Sequence, residues 1–103
     1  MTDRELLEQA AKAAGIKVKG YFEDEPTLLI KPGIRLPPAR WNPLTDDGDA
    51  LRLAVKLHMI IDPYAGAIAI PPGVVIATVN EGDECAATRR AIVRAATQIG
   101  EKK

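Results

Sequence analysis

Between residues 67 and 79 both alternating sets of side chains are apolar. Ile68 and Ile70 alternate with Ala67 and Ala69, and beyond the Pro71-Pro72-Gly73 turn Val74 and Ile76 alternate with Val75, Ala77 and Val79. A strand wetted on one face carries polar residues at every second position, so this hairpin calls for material on both sides. Two arrangements meet that demand. Either helical layers sandwich the sheet, or one layer covers it and a partner covers the rest.

The remaining elements follow from caps and periodicity. Thr2 and Glu5 have capping-box spacing, and Leu6, Leu7, Ala10, Ala13 and Ala14 fall on one helical face. Glu8 and Lys12 lie four apart on the opposite face, and Gly15 is placed to end the helix. Ile16 to Phe22 reads as a strand with Ile16 and Val18 inward and Lys17 and Lys19 outward. Thr27 to Lys31 reads as a second strand that Pro32-Gly33 breaks, and Ile34 to Leu36 as a brief resumption of it. Residues 37 to 45 form the longest expected loop, stiffened by three prolines. A second helix begins near Asp46 or Asp47, with Ala50, Leu53, Ala54 and Leu57 inward. Leu51 and Val55 widen its apolar surface, which implies burial on more than one side. Met59 to Asp62 opens a β-meander that continues through the hairpin above. A third helix runs from about Glu84 to Ile99, with Asp83 as N-cap and Gly100 as C-cap. Cys85, Thr88, Ile92, Ala95, Ala96 and Ile99 share its inner face, with Arg90, Arg94, Thr97 and Glu101 opposite.

The 103 residues suit one domain, 1–103, around a single core. That core is aliphatic, because 25 Ile, Leu and Val side chains stand against four aromatic ones, and 16 alanines let elements approach closely. Fourteen cations cancel fourteen anions, so no overall field draws in DNA, RNA or anionic lipid. A single cysteine excludes an internal disulfide and a zinc set. The charged start Met1-Thr2-Asp3-Arg4-Glu5 leads into an amphipathic helix rather than an apolar signal region. No apolar run reaches the roughly 18 residues of a membrane span. The expectation is a cytoplasmic protein without a membrane partner.

Two blocks carry a family resemblance. The first, Arg40-Trp41-Asn42-Pro43-Leu44-Thr45-Asp46-Asp47-Gly48-Asp49-Ala50-Leu51-Arg52-Leu53-Ala54, opens the second helix. The second, Glu81-Gly82-Asp83 followed by Ala86-Ala87-Thr88-Arg89-Arg90-Ala91-Ile92-Val93-Arg94-Ala95-Ala96, opens the third. Together they resemble the phage ABA-sandwich domain family, short proteins of bacteriophages and prophages. The resemblance implies an α-β-α layered sandwich, an accessory role in an infected bacterial host cell, and neither an activity nor a ligand. The fold class expected overall is α+β, with three helices and a mostly antiparallel sheet.

Several constellations invite a functional reading, and each has a structural one. Asp46, Asp47 and Asp49 cluster at a helix start, where carboxylates cap free amides and complement the dipole. A calcium loop begun at Asp47 would need a carboxylate where His58 stands, so no metal is expected. Glu81, Asp83 and Glu84 repeat the pattern at the third helix, and both groups could open on one edge as an acidic pocket. Cys85 reads as a buried structural thiol, and His58 as a residue on the last carbonyls of the second helix. No orienting third group makes a dyad of the two, so no catalytic residue and no cofactor is expected.

Arg89, Arg90 and Arg94 could grip phosphates, although a solvated helix face explains them as well. Trp41 reads first as an anchor of the Pro-rich loop and otherwise as a contact residue for a protein partner, together with Leu51 and Val55. The expected function is that of a non-enzymatic phage accessory protein acting by protein–protein contact. Its partner would be a phage or host protein or a second copy of the chain. The alternative is a nucleic-acid-associated module that uses the basic third helix.

Overall fold

The structure is a computed structural model and describes residues 2–22, 25–31, 37–62, 66–70, 74–77 and 83–101. Helix α1 covers Asp3–Ala14. The Thr2 hydroxyl accepts from the Glu5 amide while the Glu5 carboxylate reaches back to the Thr2 amide, which completes the capping box. Gly15 ends the helix at φ +71°, and the Ile16 amide returns to the Ala11 carbonyl, a closure that needs a left-handed residue. Leu6, Leu7, Ala10, Ala13 and Ala14 are all buried, as the periodicity requires, and Ala11 joins them.

Three antiparallel strands follow: β1 (Lys17–Tyr21), β2 (Leu28–Lys31) and β3 (Ala39–Trp41), in the order β1-β2-β3. Strand β3 lies inside the segment expected as loop. Its three residues pair Leu28 with Trp41, Leu29 with Arg40 and Ile30 with Ala39. So short a strand, just behind two prolines, has almost no local signature, and the long-range pairing with β2 creates it. Val18 is exposed although it pairs with the buried Ile30, because β1 is at the edge of the sheet among the described residues, and a bulge between Val18 and Gly20 interrupts the alternation beyond it. The expected resumption at 34–36 lies outside the described residues.

Helix α2 covers Asp47–Lys56, and Asp46 caps it by accepting from the Asp49 amide. Ala50, Leu53 and Ala54 are buried, but the flanking stripe is not: Leu51 is 58% and Val55 66% exposed. His58 follows at φ +56°, with its amide on the Val55 carbonyl and the Met59 amide on Ala54. The chain leaves α2 as it leaves α1, with histidine in the place glycine holds after α1.

The meander forms a second antiparallel sheet, β4 (Ile60–Asp62), β5 (Ala67–Ile70) and β6 (Val74–Ala77). Ile61 pairs with Ile68 and Ile68 with Ile76, so these three positions share a face. Ile68 and Ile70 are buried on that face, against helix α3 (Glu84–Glu101). The opposite face, which holds Ala67 and Ala69, is only partly covered, and Ile60 is 55% exposed. Among the described residues helix α3 is the helical layer that meets β5 and β6.

The fold is therefore α+β, with three helices and two three-stranded antiparallel sheets. Helix α1 packs along α3 and on the first sheet, while α3 also meets α2 and the second sheet. One core cluster draws side chains from all three helices and both sheets. Two details of α3 differ from expectation. Thr97 is buried and donates to the Arg94 carbonyl, and Gly100 lies within the helix rather than capping it. A Cβ built on Gly100 would stand 2.3 Å from the Gln9 carbonyl oxygen, so this glycine marks where α3 closes on α1.

Candidate functional site

The residues singled out in sequence scatter on folding, and most of them hold the fold. Among the acids at the start of α2, Asp46 caps the helix. Asp49 accepts from the Asn42 amide at 2.9 Å and from Arg52 at 2.7 Å. Asp47 accepts from Arg89 at 2.6 Å. At α3, Asp83 accepts from the Ala86 amide. Among the described residues it is a cation of α3, Arg89, that reaches the start of α2, while Glu81 of the second acidic group lies outside the described residues. Among the described residues no group of three potential metal ligands converges.

Arg89 and Arg90 are committed to internal contacts. Besides its pair with Asp47, Arg89 donates through Nε to the Leu44 carbonyl at 2.9 Å, and its side chain is only 17% exposed. Arg90 pairs with Asp3 of α1 at 3.3 Å. Arg90 and Arg94 are both exposed, but Arg90 is paired and Arg89 turns inward to Leu44, so the three do not present one free basic surface. Trp41 is 3% exposed and anchors its strand in the core, which removes it as a contact residue for a partner. Cys85 is exposed instead of buried, because α3 begins one turn before its packed section.

A different group of residues does converge. A cleft of about 850 Å³ opens between the first sheet and α2. Its floor is apolar, made by Ile16, Ile30, Trp41 and Leu53. Its walls carry six cations: Lys17 and Lys19 from β1, Lys31 from β2, Arg40 from β3, and Arg52 and Lys56 from α2. A single carboxylate, Asp49, lies among them. Arg52 is held by Asp49, and Arg40 pairs with Glu25 while stacking over the Phe22 ring at 4.4 Å. Among the described residues no ion pair takes up Lys17, Lys19, Lys31 or Lys56. Lys17 and Lys31 are direct cross-strand partners, an arrangement that costs about a few tenths of a kcal/mol through like-charge repulsion.

The walls are held in place by polar contacts. Asn42 is buried and links three elements: its side-chain amide donates to the Thr27 hydroxyl, its side-chain oxygen accepts from the Leu44 amide, and its backbone amide meets Asp49. Arg89 ties the same turn to α3. Arg4 donates to the Phe22 and Glu25 carbonyls and lies 4.1 Å over Tyr21, which fixes the far end of the sheet on α1. Sequence reasoning passed over Asn42 and the lysines alike. Asn42 is one polar residue before a proline, and the lysines come from three separate elements. A hint existed in Lys17, Lys19 and Lys31, since three lysines on neighbouring strands are a concentration of one sign in a neutral chain.

No helix among the described residues is long and apolar enough to cross a membrane. No family model matches the chain, and no similar protein was found among curated proteins or solved structures.

Proposed function

We propose that the chain is a non-catalytic accessory protein that acts by protein–protein contact, with the lysine-walled cleft as the surface engaged. One observation carries this reading. In a chain of zero formal net charge, four lysines that form no ion pair among the described residues line the cleft, and two of them directly oppose each other across a strand pair. Like charges held together at a cost are relieved by an anionic partner, which gains both encounter rate and specificity from the complementarity. The phage or prophage setting rests on the two helix-entry blocks that resemble the phage ABA-sandwich domain family, and a bacterial cytoplasm follows from that setting.

Affinity capture from the phage-bearing bacterium tests the reading. A partner retained at low salt by the native chain and lost by the Lys17→Glu/Lys31→Glu variant supports it. Retention that ignores the charge reversal, or no retained protein, counts against it. The stripe of Leu51 and Val55 supports a second form of the same reading, in which a second copy of the chain covers apolar surface left exposed on α2. Light scattering decides that form: a dimer that Leu51→Lys/Val55→Glu converts to monomer supports it, and a monomeric native chain rejects it.

A further inference from the structure

We infer that the cleft receives an extended acidic segment of the partner protein, with an apolar side chain between the walls and carboxylates reaching the lysines. This rests on the contact reading above and specifies what enters. The uncompensated charges are all lysines, compact point charges on flexible stems that accept a carboxylate from many directions. They stand on facing walls, Lys17 and Lys31 on the sheet and Lys56 on α2, over a floor in which Ile16 is half-buried and able to meet an apolar group.

The features that select phosphate are engaged elsewhere. Arg40 and Arg52, the two groups able to fork onto a phosphate, are paired with Glu25 and Asp49. Asp46 occupies an amide at the α2 start, and the Asp49 carboxylate in the cleft repels a dense polyanion. The one aromatic ring of the lining, Trp41, is buried, so no base can stack on it. An extended polypeptide has a further source of affinity. All three residues of β3 line the cleft, and β3 is at the edge of its sheet among the described residues, so a segment that reaches this edge gains backbone hydrogen bonds.

The test is fluorescence anisotropy with the full chain and a labelled peptide alternating Glu and Leu, set against a Ser–Leu peptide, an all-Glu peptide, pyrophosphate and a single-stranded oligonucleotide. The Glu–Leu peptide is expected to bind more tightly than the other probes. Its affinity should fall about tenfold in Lys17→Gln/Lys31→Gln, fall again in Lys56→Gln, and weaken as salt shortens the screening length. Each substitution is at a lysine that forms no ion pair among the described residues, so the fold is expected to survive, with circular dichroism as the check. Arg94→Gln, outside the cleft, should bind as the native chain does. Equal binding of the Ser–Leu peptide, or Glu–Leu binding that ignores the lysine substitutions, overturns the inference. A captured partner that charge reversal releases, together with no binding of the Glu–Leu peptide, overturns the inference and leaves the contact reading standing. Preference for pyrophosphate or the oligonucleotide overturns both.

Discussion

A methyl group on Gly100 would stand 2.3 Å from the Gln9 carbonyl oxygen, and backbone on both sides leaves little room to yield. Gly100→Ala should therefore cost about 2 kcal/mol despite the better helix propensity of alanine, because overpacking outweighs propensity here. Urea denaturation measures this, and a neutral result would mean that α1 and α3 are not as close as described. Gly48 is the contrast. A Cβ there meets the Arg52 guanidinium and the Asp46 carboxylate at 3.2 Å, side-chain ends able to swing away. Asn42 belongs to the same scale. Removing its side-chain amide and oxygen leaves the buried Thr27 hydroxyl and the Leu44 amide without those partners, so Asn42→Ala should lose about 2–3 kcal/mol in the same assay.

Elements in this chain are joined by single polar side chains that bridge their ends. The Arg89 contacts divide into two unequal parts. The bond from Nε to the Leu44 carbonyl is partly buried, whereas Asp47 is 74% exposed, so the ion pair itself contributes little. Arg89→Ala should accordingly cost about 2 kcal/mol and Asp47→Ala at most about 0.5 kcal/mol, with a double-mutant cycle reporting a small coupling. Equal losses would assign the stability to the ion pair instead. The helices were legible because their ends are written locally, in Thr2 with Glu5, in Gly15, in Asp46 and in Asp83. The exit from α2 was not, since His58 takes a left-handed conformation that its identity only weakly suggests. Strand β3 was hidden for a related reason. Its three residues gain strand geometry only by pairing with β2, and the reading of Gly100 as a cap missed a packing contact that is equally non-local.

Across the molecule, hydrophobic patterning fixed what is buried more reliably than charge patterning showed what is used. The inner faces of α1 and α2 and the buried Ile68 and Ile70 follow from periodicity, and the α+β class follows with them. The cleft does not, because Lys17, Lys31 and Lys56 come from three elements that converge only once Asn42 and Asp49 tie the first sheet to α2. The stripe of Leu51 and Val55, whose apolar pattern implies burial, is exposed instead, and among the described residues Ala67 and Ala69 on the outer face of the meander are only partly covered.

The central claim is that the uncompensated lysines of the cleft are the engaged surface. Its most direct test is a two-dimensional amide NMR titration of the full chain with the Glu–Leu peptide, followed residue by residue. The account predicts shifts concentrated at Lys17, Lys19, Lys31, β3 and Lys56, with little change at Arg90, Arg94 or Val55. Shifts gathered on α3 or on the Leu51 and Val55 stripe, with the cleft silent, would contradict it.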